Sequence, residues 1–171
     1  MMHSEKNKHT AITPKWAETE DILALLETTK GNTLLDLRDR AIILFLLDTG
    51  CRAGELCSLK ADDLDLNAMQ ASVANIGTRA RFVFFGESTR NALQSWLDVR
   101  PSDRGAWVFV SLATHSKGAL TSSSLYRMLK CRGQSSGVQG VCKPSRIPAR
   151  FRPPLGDEWG QSLGTELYWR I

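Results

Sequence analysis

Histidine is scarce in this chain, and none lies beyond residue 115: His3, His9 and His115 are all there are. Cys51, Cys57, Cys131 and Cys142 show no CxxC spacing and no nearby histidine. A zinc site needs clustered thiolates or imidazoles, so no metal site is expected. The thiols read instead as small buried or half-buried groups, and a disulfide framework fits a cytosolic chain poorly. Long apolar runs are missing as well. The longest, Ala41 to Leu47, is far too short to cross a bilayer, so no membrane association is expected. The first residues, MMHSEKNKHTAITPKW, are polar and hold no signal-peptide core, which predicts a cytoplasmic protein. No internal repeat occurs.

What remains is ordinary for one globular domain. The 171 residues are enough for a single core. Lysine and arginine number 22 against 18 acidic residues, a net charge of +4 that hints at a polyanionic partner. The basic residues are scattered, with local groups at Arg79 and Arg81 and at Lys130, Arg132 and Lys143. A solvated charged face would look the same.

Residues 1–14 are polar and aperiodic and read as a disordered tail. A helix follows, with Thr19 able to cap and Ile22, Leu25 and Leu26 on one face. Leu34 to Asp48 reads as a second helix, apolar all round in its second half and therefore central and buried. Thr49-Gly50 breaks it, and Ala53 to Leu59 forms a short third helix with Leu56 and Leu59 inward. Asp62, Asp63 and Asp65 lie in a polar turn. Ala71 to Ile76 and Arg81 to Phe85 read as the two strands of a hairpin. Ser88 to Val99 is a helix with a possible Ser88 cap, carrying Leu93, Trp96 and Leu97 inward. Trp107 to Val110 is a short buried extended segment. The last clear helix spans Thr121 to Arg132, capped by Thr121 or Ser122, with Leu125, Met128 and Leu129 on one side. The fold is thus expected to be mainly α-helical with a small antiparallel hairpin or sheet.

The stretch LDTGCRAGEL places Arg52 between a glycine turn and a helix start. With RDRAIILFLLDTGCRAGEL, LKADDLDL, FGESTRNALQSWL, WVFVS and LTSSSLYRMLKCRGQSSGV following in order, the chain resembles the catalytic domain of the tyrosine recombinases, the phage integrase family. The resemblance covers roughly residues 16–143. It implies that DNA is the partner, as a duplex held by its phosphates, and that no cofactor is needed. In that family a tyrosine hydroxyl cleaves one strand to give a 3′-phosphotyrosyl link, and guanidinium donors stabilise the charged transition state. Arg52 matches the family's first catalytic arginine, and Glu55 the acidic residue that braces the site. Glu55 equally suits an i,i+3 pair with Arg52 on an exposed turn.

Three departures follow. The family hairpin reads G-K-G-x-K-x-R, whereas Gly77-Thr78-Arg79-Ala80-Arg81 offers Thr78 or Arg79 near the place of the general-acid lysine. Arginine hardly ever deprotonates and is a poor proton donor. Arg79 and Arg81 are expected to hold DNA phosphates, the alternative being two solvated hairpin arginines. No H-x-x-R motif follows the SSGV stretch, and neither tyrosine takes the nucleophile's place: Tyr126 reads as packing, and Tyr168 comes too soon after Val141. Finally, residues 144–171 hold four of the six prolines, four arginines and two tryptophans, without any period. A one-base shift of reading frame over Pro144 to Gly156 permits PHAFRHAFARHW, which contains H-x-x-R where the family requires it.

The expected organisation is therefore a tail (1–14), the N-terminal part of a recombinase catalytic domain (15–143), and an irregular, out-of-frame tail (144–171). The expected function is that of a truncated recombinase remnant, unable to cleave DNA alone and not expected to assemble with other protomers without its C-terminal segment. Loss of the C-terminal helices should strip cover from Ala41 to Leu47 and leave apolar surface bare. The alternatives are a non-enzymatic helical DNA-binding or regulatory module and, less favoured, a protein-interaction domain.

Overall fold

The computed structural model describes residues 19–74, 77, 79–115 and 118–138, together with Pro144 and Ile147. Five α-helices and three strands occur in the described residues, in the order α1 (Thr19–Glu27), α2 (Leu34–Thr49), α3 (Ala53–Ser58), β1 (Leu64–Asp65), β2 (Gln70–Val73), β3 (Arg81–Phe84), α4 (Glu87–Val99) and α5 (Ser122–Ser135), with short 3-10 turns at Ala61–Asp63 and Ser102–Arg104. The mainly helical class with a small antiparallel sheet is what the sequence predicts. The expected tails at 1–14 and 144–171 lie outside the described residues, apart from Pro144 and Ile147, which are both buried.

Helix α2 is the axis of the domain. Thr33 caps its start, accepting a hydrogen bond from the Asp36 amide, while the Asp36 carboxylate reaches back to the Thr33 amide. Every residue from Ala41 to Leu47 is at most 4% exposed. An apolar surface on all sides of a helix requires neighbours on all sides. Phe45 meets Phe85 and Phe109 with ring centroids 5.8 and 6.2 Å away. Ala41 to Leu47 therefore keeps its cover, contrary to the expectation that this stretch is stripped. Large apolar side chains left exposed include Leu34 and Leu35 in the first turn of α2 and Phe82 on β3.

The sheet has three strands, ordered β1-β2-β3 and antiparallel throughout. Leu64 pairs with Ala71, and Val73 with Arg81. The acidic turn thus contributes a strand that the sequence reading placed in a loop. Its carboxylates allow this because Asp65 Oδ1 accepts from the amides of Asn67 and Ala68, each at 2.9 Å, and so closes the β1–β2 turn. Alternation on β3 puts Arg81 and Val83 on one face and Phe82 on the other.

Three further expectations need correction. Helix α4 starts at Glu87 rather than Ser88, and its cap comes from another element: Asp48 Oδ2 accepts from the Gly86 amide at 2.8 Å and from the Thr89 hydroxyl at 2.6 Å. Tyr126 is 40% exposed on α5, not packed. Arg132 is not part of a basic surface. It is held in an ion-pair network by Asp36 (2.9 Å) and Asp39 (2.9 Å) and donates to the Thr28 carbonyl at 2.6 Å. Arg38 completes the network, donating to Asp39 at 2.8 Å. At the other end of α5 the structure selects Thr121 as the cap, with its hydroxyl accepting from Ser124.

Candidate nucleic-acid interface

Arg52 sits where α2 ends and α3 begins. Gly50 closes α2 in the left-handed region (φ 57°, ψ 27°), where a side chain would be strained, and its amide donates to Leu46. The Thr49 hydroxyl donates to the Phe45 carbonyl at 2.6 Å, and the Cys51 amide to the Thr49 hydroxyl at 3.3 Å. Arg52 then takes an extended backbone (φ −74°, ψ 153°) as the residue capping α3, and its carbonyl accepts from Leu56. The chain on either side is fixed by hydrogen bonds, so the arginine stem starts from a defined place.

Glu55 is buried, with only 3% of its side chain exposed, and three groups meet it. Its Oε2 accepts from the backbone amide of Arg52 at 2.7 Å, the reach-back that an acidic residue three positions into a helix commonly makes. From β3, Arg81 approaches with Nη2 2.9 Å from Oε2 and Nε 3.4 Å from Oε1. The Arg52 guanidinium is a distant third, with Nη1 4.0 Å from Oε1 and 74% of its side chain exposed. Burial pushes the Glu55 carboxyl up, yet its pKa is lowered overall, because the Arg52 amide, the Arg81 hydrogen bonds and the two guanidinium charges outweigh that burial. The burial of Glu55 departs from the reading of an exposed-turn pair with Arg52. Glu55 does stand three residues from Arg52, but its main partner is Arg81.

The structure brings Arg52, Glu55 and Arg81 into one cluster. Arg79 is exposed, two residues before β3. Thr78, the other candidate for the lysine's neighbourhood, lies outside the described residues, as do Tyr168 and the three arginines at 146, 150 and 152. Ser58 ties α3 to the sheet, its hydroxyl 2.8 Å from the Ala74 carbonyl. Sequence reasoning missed the Arg81–Glu55 pair. The signal was available in the alternation of β3, which puts Arg81 on the same face as Val83.

Burial favours the protonated thiol at both cysteines beside the cluster. Cys51 is buried, and that burial pushes its pKa up to about 12. Burial likewise raises that of Cys57. Cys131 is exposed, contrary to the buried or half-buried reading, and Cys142 lies outside the described residues. Among the described residues no group of three or more His, Cys, Asp or Glu is arranged to hold a metal ion, and no helix is long and apolar enough to cross a membrane. A groove of about 970 Å³ opens between the start of α2 and α5, lined in part by Leu34, Leu35, Arg127 and Cys131. None of the four candidate residues lines it.

A mainly helical domain with a small three-stranded antiparallel sheet is the fold of part of a tyrosine recombinase catalytic domain. The family model for the phage integrase family matches residues 15–152, and the chain belongs to that family. The matched span runs past Pro144.

Among relatives, the tyrosine recombinase XerD of Listeria monocytogenes serotype 4b (strain F2365) is 29% identical over 161 residues, covering 91% of this chain and 53% of the relative. The tyrosine recombinase XerC of Staphylococcus carnosus (strain TM300) is 34% identical over 101 residues, covering 59% of this chain and 33% of the relative. The crystal structure of XerA recombinase superposes with a TM-score of 0.69 at 30% identity, covering 79% of this chain and 48% of that one. The XerH site-specific recombinase bound to its difH substrate shares the fold, with a TM-score of 0.63 at 20% identity over 82% of this chain and 43% of that one. This chain therefore spans about half the length of the XerD and XerA proteins it resembles and a third of the XerC protein.

Proposed function

We propose that this chain binds duplex DNA through its phosphate backbone, with Arg52 as the phosphate-stabilising residue of a recombinase catalytic core, and that as it stands it does not cleave. The observation that carries this reading is the exposure of the Arg52 guanidinium on a fixed turn, while the neighbouring carboxylate is occupied by Arg81. A planar guanidinium fork in that setting suits two phosphate oxygens. Arg79 adds positive potential from the adjacent hairpin. Solved relatives include recombinases in complex with DNA, which supports DNA as the partner. Binding of this kind is sequence-independent, with Kd roughly 10⁻⁴ to 10⁻⁶ M at physiological salt. Titration of labelled duplex at several salt concentrations tests it. Affinity should fall steeply with salt, and an Arg52→Ala, Arg79→Ala, Arg81→Ala triple variant that binds as well as the parent would refute it.

Strand cleavage needs a nucleophile, a proton donor and charge stabilisation on one phosphate. Loss of general acid–base help alone costs roughly 10² to 10⁴ in rate, and without a nucleophile no covalent intermediate forms. A nicked suicide duplex should therefore give no covalent adduct on a denaturing gel. An adduct abolished by Tyr126→Phe or Tyr168→Phe would overturn this. The proposal extends to the tail: residues 144–171 are out-of-frame translation, and the gene's frame one base on from Pro144 encodes H-x-x-R followed further on by a tyrosine. Reading the encoding DNA from Pro144 onward in all three frames decides that point.

A further inference from the structure

Arg81 and Arg52 compete for one carboxylate, and the geometry shows which wins. Arg81 makes a two-point contact with Glu55, at 2.9 and 3.4 Å, whereas the Arg52 guanidinium stops 4.0 Å away and remains largely in solvent. The competition is local. Arg52 stands three positions before Glu55, a spacing at which arginine and glutamate side chains pair readily on a helix surface. Glu55 is buried, so its charge is only weakly screened and must be met by some cation. With Arg81 removed, the nearest cation is the guanidinium of Arg52.

We infer that Arg81 is a positioning residue: it neutralises Glu55 so that the Arg52 guanidinium is not captured by it and stays available to an anion. The inference rests on the proposed role of Arg52, and it changes the role of Arg81 from direct phosphate contact to control of its neighbour. Three features of the fold make the arrangement possible. Strand alternation puts Arg81, still 47% exposed, on the face of Val83 and towards Glu55, the register sets it opposite Val73, and Ser58 holds α3 against the end of β2. Glu55 keeps its bond to the Arg52 amide throughout, so capture would move the side chain of Arg52 and leave its backbone in place.

The test has a DNA-free arm and a DNA arm. In the full chain without DNA, nitrogen-15 NMR of the Arg52 side chain should show fast Nε–H exchange in the parent and slowed exchange in Arg81→Ala, as the guanidinium folds onto Glu55. Arg81→Gln carries the same expectation and preserves more of the strand's packing. Unchanged Arg52 exchange in a folded Arg81 variant overturns the inference. With labelled duplex DNA, Arg81→Ala should weaken binding roughly three- to tenfold, the scale of one phosphate contact. Adding Glu55→Gln should restore most of that loss, since no charge remains to capture Arg52. In an Arg52→Ala background the same Arg81 and Glu55 changes should leave affinity nearly unaltered. Recovery that persists without Arg52 would mean a general charge effect and refute the positioning role. If the parent binds no DNA, the proposed function fails, and the DNA-free arm still decides this inference.

Discussion

Arg132 and Asp39 meet across 93 residues of sequence, Nε donating to Oδ2 at 3.0 Å, and the contact joins the last described helix to the central one. Asp39 is almost fully buried and Asp36 half-buried, so removing Arg132 leaves two carboxylates with one fewer cation. Breaking a buried pair costs about 3–5 kcal/mol, and the surviving Arg38–Asp39 contact places Arg132→Ala at the lower end, about 3 kcal/mol. Urea unfolding measures it. A loss under about 1 kcal/mol would assign the network no more weight than an exposed surface pair.

Asp48 is the remote cap of α4. Replacing it with alanine removes the acceptor for the Gly86 amide and the Thr89 hydroxyl together. Asp48→Ala should cost about 1–2 kcal/mol, the usual range for a lost cap. Thr89→Val removes only the second bond and should cost less. Equal losses in the two variants would show that the amide contact contributes nothing.

Acid should weaken the fold through specific carboxylates. Glu55 and Asp36 both have pKa values lowered in the folded protein, Glu55 by the hydrogen bonds and charges that outweigh its burial, and Asp36 chiefly by the Thr33 hydroxyl. A depressed carboxylate contributes stability that is complete above its ordinary value, 4.5 for Glu and 3.8 for Asp, and is lost as pH falls through the folded value. Chemical denaturation should therefore give a plateau at higher pH and a decline beginning below the ordinary glutamate value. Glu55→Gln should flatten part of that decline, and an identical acid slope in the variant would exclude Glu55 as a source.

Thiol labelling should separate the cysteines. An exposed thiol is open to maleimide in the folded protein, whereas a buried one is shielded. Cys131 should label in the native state. Cys51, buried with its pKa pushed up to about 12, should label only as the protein unfolds. Mass spectrometry after timed labelling reads both. Native-state reaction at Cys51 as fast as at Cys131 would mean that the arginine turn opens freely.

Local signals carried much of this structure, and cross-chain pairings were the part they could not supply. Helix α2 was legible because a buried helix announces itself as an apolar run ended by glycine. The α5 cap was legible to within one residue, since Thr121 and Ser122 are adjacent acceptors. Strand β1 was hidden because two residues have no period, and three aspartates nearby suggest a turn. The Ser88 cap was a fair local guess that lost to Asp48, 38 residues upstream of Gly86, which no local pattern marks. Arg132 misled for the same reason: between Lys130 and Lys143 it looks like part of a basic face, and only the folded chain reveals the aspartates that take it. At the candidate site, Arg52 and Glu55 were legible from spacing and resemblance. The third member, Arg81, was named for a different task because its partner lies 26 residues away.

The cap that Asp48 places on α4 also bears on the order in which a growing chain takes shape. Asp48 stands four residues before Arg52, and the groups that satisfy it, Gly86 and Thr89, are synthesised some forty residues later. Until they emerge from the ribosome, the carboxylate has no partner and the end of α2 lacks one of its restraints. Arg81, the counter-ion of Glu55, arrives in the same interval. The turn that carries Arg52 is made early and finished late, so a chain halted before residue 89 would contain the arginine without the setting that holds it.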